Sequence, residues 1–188
     1  NFDDGTFAGW RTFDADGAYC LGWQISPDDP MLGSYYHGTD GTKCAVSVSA
    51  NPLYGDTYKP NSYLVTEGAY QITSSSVLSW NMKTPFASSA EYYEVVVSSD
   101  NNTFSSIWSE EKNNVNSMTA KEVSLAEYAG QTLYIGFRHY RETSNANAGF
   151  LCIDDVVLSS EGGVEPEPQA PSAPANLVAQ ATGETTIA

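Results

Sequence analysis

The sequence predicts an all-β sandwich, and three observations carry that expectation. Apolar residues recur with a period of two rather than the helical 3.6. The strand-sized runs are rich in Val, Ile, Tyr, Phe, Trp and Thr, and Gly, Asn, Asp, Ser and Pro punctuate them at short intervals. Helix signals are nearly absent. Many short alternating strands with few helices bury their apolar faces most simply in two antiparallel sheets packed face to face.

Six runs alternate most clearly, out of about ten strand candidates. They are KCAVSVS (43–49), NSYLVT (61–66), SVLSWNM (76–82), EYYEVVVSS (91–99), TLYIGFRHY (132–140) and FLCIDDVVLSS (150–160). Parity within them assigns Val46, Val48, Leu64, Leu78, Val95, Val97, Ile135, Phe137, Leu151 and Ile153 to the interior. SLAEYAG (124–130) places Ser124 and Glu127 in capping-box spacing ahead of Gly130, enough for one or two helical turns. No apolar run approaches the roughly 18 residues that a membrane-spanning helix needs.

Domain boundaries follow from composition. Residues 1–160 form the folded unit. EGGVEPEPQAPSAP (161–174) has four prolines and three glutamates and reads as a linker. ANLVAQATGETTIA (175–188) resembles the opening strand of a fibronectin type III module, cut short. The chain starts at Asn1 with no leader-like segment, as a mature or excised fragment would.

Charge narrows the function classes. Asp and Glu number 23 against eight Lys and Arg, a formal net charge of −15. Nucleic acid and anionic membrane surfaces are poor partners for such a chain, because neutralising phosphates takes Lys and Arg. Cations are good ones. Residues 1–40 alone hold seven Asp against a single Arg.

Several segments together resemble a known family. WRTFDADG (10–17), PNSYLVT (60–66), EYYEVVV (91–97), FRHY (137–140) and CIDDVVL (152–158) occur in a set order. As an ordered set they resemble the cleaved-adhesin domains of gingipain haemagglutinin/adhesin regions, also called choice-of-anchor J domains and similar to MAM and galactose-binding-like modules. The resemblance spans nearly all of residues 1–160. It implies a galactose-binding-like jelly-roll β-sandwich without catalysis, on a secreted or cell-surface bacterial protein with neighbouring domains. It also implies structural Ca²⁺, held by one acid of the first strand and one of the last. Asp3 matches the former; Asp155 or Asp154 matches the latter.

The residues themselves support a cation. FDDG (2–5) and IDDV (153–156) are paired-Asp motifs at opposite ends of the domain sequence, and a jelly roll sets its terminal strands side by side. Strand parity puts Asp155 on the face of Ile153 and Val157, hence partly buried, with Asp154 on the opposite face. A buried carboxylate needs a partner. Ca²⁺ takes about six to eight oxygens, so ligands must converge from distant segments. DADG (14–17) offers a second acidic loop at Asp14 and Asp16, which lacks the remaining acids of an EF-hand and is equally a plain turn.

Catalytic readings fit poorly. Glu91 and Glu94 fall on opposite faces of one strand, no GxSxG elbow exists, and Cys44 and Cys152 read as buried thiols, with the state of Cys20 open. His37 and His139 are the only histidines; His139, facing Phe137's side, is expected to satisfy a polar network. For a glycan, loop aromatics are the candidates: Tyr35, Tyr36 and His37 in SYYHGTDG (34–41), and Trp23. The expected function is a noncatalytic, calcium-stabilised adhesion module that binds an extracellular protein or glycan. The alternatives are a carbohydrate-binding module attached to a glycan-degrading enzyme, and a structural spacer.

Overall fold

The computed structural model describes residues 1–15, 22–28, 36–51, 56–57, 59–85, 90–142 and 149–160. Asp16, Cys20, Tyr35, the linker (161–174) and the fibronectin-like tail (175–188) lie outside these residues. The strands are β1 (Trp10–Asp14), β2 (Trp23–Ile25), β3 (Ala45–Val48), β4 (Ala50–Asn51), β5 (Asp56–Thr57), β6 (Asn61–Thr66), β7 (Tyr70–Gln71), β8 (Val77–Thr84), β9 (Glu91–Ser98), β10 (Ser105–Lys112), β11 (Val115–Ser124), β12 (Thr132–Tyr140) and β13 (Phe150–Ser159).

Two antiparallel sheets carry the fold. The first runs β1-β6-β12-β9-β10, with β7 also on β12; the second runs β11-β8-β13-β3-β2. The expected helical turn exists as a short 3₁₀ segment at Ala126–Tyr128, entered through a Ser124 Oγ that accepts the Ala126 N–H at 3.3 Å. Gly130 follows at φ +87°, a conformation that suits glycine. Polar β10 and β11 are not among the six runs that the alternation picks out; both edge their sheets.

The ten predicted interior residues are all buried. They do not share one core. Leu64, Leu78, Val95, Val97, Ile135, Phe137, Leu151 and Ile153 fill the space between the sheets, around Trp80 and Tyr93. Val46 and Val48 belong to a second cluster with Cys44, Phe150 and Cys152, against which Tyr36 and Met118 pack. Parity explains this: Ala45 points to the first core, so Val46 points away from it, and a second apolar layer covers that outer face.

Strand β13 departs from simple alternation. Its pairing with β8 shifts between Asp154 and Val157, the mark of a β-bulge, and Asp155 sits there at φ +48°. The extra residue reverses the parity. Leu151 and Ile153 face the main core before the bulge, and Val156 and Leu158 pack on it afterwards. The expectation that Ile153, Asp155 and Val157 share one side is therefore corrected, while Asp155 is half-buried as expected. Asp154 is the buried acid at 0% exposure, and Val157 is 52% exposed.

Candidate cation cradle and polar core of the sandwich

Asp154 enters a cradle made by the turn before β3. Its Oδ2 accepts the Thr39 backbone N–H at 3.0 Å and stands 3.5 Å from the Thr42 hydroxyl. Gly38 permits this approach, because a Cβ there would lie 2.2 Å from Oδ2 and 2.9 Å from the Lys43 carbonyl oxygen. The neighbouring Asp155 turns aside at the bulge, where its Oδ2 accepts from Asn81 Nδ2 at 2.9 Å. Asn81 Nδ2 also lies 3.1 Å from Thr39 Oγ1, tying strand β8 to the same turn.

One atom is left over. Asp154 Oδ1 is buried and has no hydrogen-bond partner among the described residues. Burial pushes the Asp154 carboxyl above its ordinary range, against the N–H groups of Thr39 and Asp155, and the charges of Asp155 and Asp3 push it further up. Asp3 lies in a turn before β1 rather than in a strand. Gly5 N–H donates to the Phe2 carbonyl at 2.9 Å in that turn, and the buried Phe2 side chain anchors it in the main core.

The donor chemistry fits a hard cation: an orphaned carboxylate oxygen, a second acid next to it in the chain, and no ion-pair partner for Asp154 among the described residues. No group of three or more His, Cys, Asp or Glu placed to hold a metal occurs among the described residues. Further oxygens would have to come from backbone, amide, hydroxyl or water, which Ca²⁺ accepts readily. Asp14 is elsewhere, with its carboxylate against Gly22, where a Cβ would stand 2.8 Å from Oδ2.

A second polar assembly lies between the sheets. Glu91 Oε2 accepts from the Ser49 hydroxyl at 2.6 Å and contacts His139 Nε2 at 2.9 Å, while Oε1 accepts the Gly149 N–H at 2.7 Å. His139 Nδ1 is 2.8 Å from Ser47 Oγ, and an Arg141 Nη1 lies 3.4 Å from Glu91 Oε1. Burial pushes the Glu91 carboxyl up, but its bonds with His139, Gly149 and Ser49 outweigh that and hold it below its ordinary value. Ser47, His139 and Glu91 follow the connectivity of a hydrolase triad, yet their exposures are 1%, 0% and 0%, so no substrate reaches them. The network is a polar rivet through the core, as expected for His139. Parity alone places Glu91 and His139 inward, so their pairing was foreseeable; Thr39, Asn81 and Gly38 carried no such signal.

The loop aromatics resolve differently from expectation. Trp23 is corrected: it is 5% exposed in β2, with its ring edge-on to His139 and Nε1 donating to the Ser62 carbonyl at 3.1 Å. Tyr36 packs at a tilt on Phe150, with ring centroids 4.5 Å apart, against the second apolar cluster. His37 is half-buried beside the Gly38 turn.

Comparison with known proteins is consistent with this architecture. Lys-gingipain W83 of Porphyromonas gingivalis is 28% identical over 178 residues, which cover 85% of this chain and 10% of that protein. The crystallised K1 cleaved adhesin domain of Lys-gingipain from P. gingivalis W83 superposes with a TM-score of 0.68 at 23% identity, covering 85% of this chain and 95% of that one. TmCBM61 in complex with β-1,4-galactotriose shares the fold at a TM-score of 0.55 and 12% identity, over 84% of this chain and 92% of that one. The sandwich, the ordered segments and a match of residues 1–158 to the Cleaved Adhesin Domain lead to one conclusion: this chain belongs to the cleaved adhesin family.

Proposed function

We propose that the chain is a noncatalytic adhesion module of a secreted or cell-surface protein, binding an extracellular protein or glycan and stabilised by Ca²⁺ at Asp154. The family supports the adhesion reading, and the chain spans about a tenth of the gingipain it matches. The calcium part rests on the unpartnered, buried Asp154 Oδ1, with the charges of Asp155 and Asp3 acting on the same carboxyl. Carboxylates gathered without a cation repel one another, and Ca²⁺ removes that cost in the folded state only. The fold likeness to TmCBM61 supports a second reading, a carbohydrate-binding module.

The test is thermal. A ligand at a hundredfold excess over its Kd stabilises the fold by about 2.7 kcal/mol. For a domain of this size that is a melting shift of roughly 5–11 °C. Chelator should lower Tm by that much, Ca²⁺ should restore it, and Mg²⁺ should restore it less. Asp154→Ala should abolish the response. Purified protein that is fully folded and free of metal by elemental analysis would end the calcium reading.

A further inference from the structure

The outer face of the first sheet has a covered end and an open end. The strap between β9 and β10 crosses β12 and β6 to reach β1, where Arg11 Nη2 donates to the Asn101 carbonyl at 2.9 Å and Oδ1 at 2.8 Å. Phe104 of the strap packs on Phe13 and Tyr63, with ring centroids 5.8 and 5.7 Å apart. Val65 and Val96 point outward by parity yet are 0% and 1% exposed, as expected beneath the strap. Asp100 holds the strap rigid by accepting the Asn102 and Thr103 N–H groups at 2.9 and 2.8 Å.

Below the strap, two register rows remain half-exposed. Tyr63, Arg138 and Glu94 form one; Asn61, Tyr140 and Tyr92 form the next. Arg138 is set between two aromatic rings, its guanidinium carbon 4.7 Å from the Tyr140 centroid and 5.6 Å from that of Tyr63. Nε donates to Asn61 Oδ1 at 2.7 Å and Nη1 to Glu94 Oε2 at 3.0 Å. Its Nη2 and Glu94 Oε1 have no hydrogen-bond partner among the described residues, with side-chain exposures of 27% and 14%.

We propose that this shelf is a binding site for a neutral pyranose oligosaccharide. The inference rests on the adhesion reading and names its ligand class and place. Three features select that chemistry. The rings of Tyr92 and Tyr140 stand beside amide, guanidinium and carboxylate groups, and a sugar likewise alternates C–H faces with hydroxyls. The clamp is pre-formed, so binding orders few side chains. Arg138 is balanced by Glu94 on a chain of net charge −15, so the shelf offers polyanions no excess positive charge. A protein partner has less to hold: Val157, in the other sheet, is the only large hydrophobic exposed among the described residues.

The 188-residue chain is tested on an array of neutral and of sulfated or sialylated oligosaccharides, with β-1,4-galactotriose and xylohexaose included, and on immobilised extracellular-matrix proteins. Calorimetry then uses whichever oligosaccharide is retained. A neutral oligosaccharide should bind, Tyr140→Ala and Arg138→Ala should each weaken it tenfold or more, and Val157→Ala should leave it unchanged. If the first two variants misfold, amide shift mapping on wild type replaces them, with ligand-induced shifts expected at residues 61–63, 92–94 and 138–140. Retention of charged glycans alone, binding indifferent to the variants, or shifts elsewhere overturns the proposal. Adherence to matrix protein with no neutral glycan bound overturns it and leaves the adhesion reading standing; adherence to nothing removes both.

Discussion

Truncating Glu91 to Ala should be far more damaging than truncating Glu94, three residues along the same strand. Glu91 is fully buried and takes hydrogen bonds from Ser49, Gly149 and His139, with Arg141 alongside. Each bond to a charged acceptor contributes about 1.5–3 kcal/mol, and the contributions of one network do not add. Removing one member of a buried charged set costs about 3–5 kcal/mol, because the other members stay buried without partners. Glu94 makes a half-exposed ion pair with Arg138, for which about 0–1 kcal/mol is usual. Glu91→Ala should therefore lower Tm by roughly 6–20 °C, and Glu94→Ala by no more than about 4 °C. Urea unfolding followed by tryptophan fluorescence gives the free energies directly. The pH dependence has a definite sign. Glu91 is held below its ordinary value in the folded state, so its contribution is complete above the ordinary glutamate range. It is lost as pH falls through the lower folded value, and the gap between wild type and Glu91→Ala should close in acid. Equal costs for the two variants, or a gap that widens in acid, would refute the rivet.

Two further substitutions probe the cradle and the strap. Gly38→Ala places a methyl 2.2 Å from Asp154 Oδ2, so it should displace the carboxylate and remove most of the calcium dependence of Tm, with little change in far-UV circular dichroism; an unaltered calcium response would show that the cradle is not the site. Asp100 titrates down at about 2 because the Thr103 and Asn102 N–H groups and the Ser98 hydroxyl favour its charged form. Its contribution holds above the ordinary Asp range and fades as pH falls toward about 2, so Asp100→Ala should speed amide exchange at Asn102 and Thr103 at neutral pH while leaving β12 protected. Unchanged exchange at those amides would mean the strap does not depend on Asp100.

Strand parity is a local property, and the sequence alone was sufficient wherever it governs. In β6, β8, β9 and β12, side chains alternate without interruption between core and outer face, so Leu64, Leu78, Val95 and Phe137 could be placed inside from their own neighbours. The same logic set His139 on Phe137's side and Glu91 opposite to Glu94, and the ordered segments were sufficient for the family. Other features depend on what covers a face, and that is decided by residues far away in the chain. The β10 and β11 strands escape a hydrophobic-pattern reading because each edges its sheet and buries little of its length. The register shift at Asp155 arises from pairing with β8, some 75 positions earlier. That single extra residue makes Asp154, rather than Asp155, the buried acid. Trp23 reads as a loop aromatic until β3 pairs with its strand and His139 meets its ring. Tyr63 and Tyr140 look like ordinary strand tyrosines; only the sheet order sets them about Arg138, with Tyr92 against Tyr140, because neighbours across a sheet come from segments that local pattern does not connect.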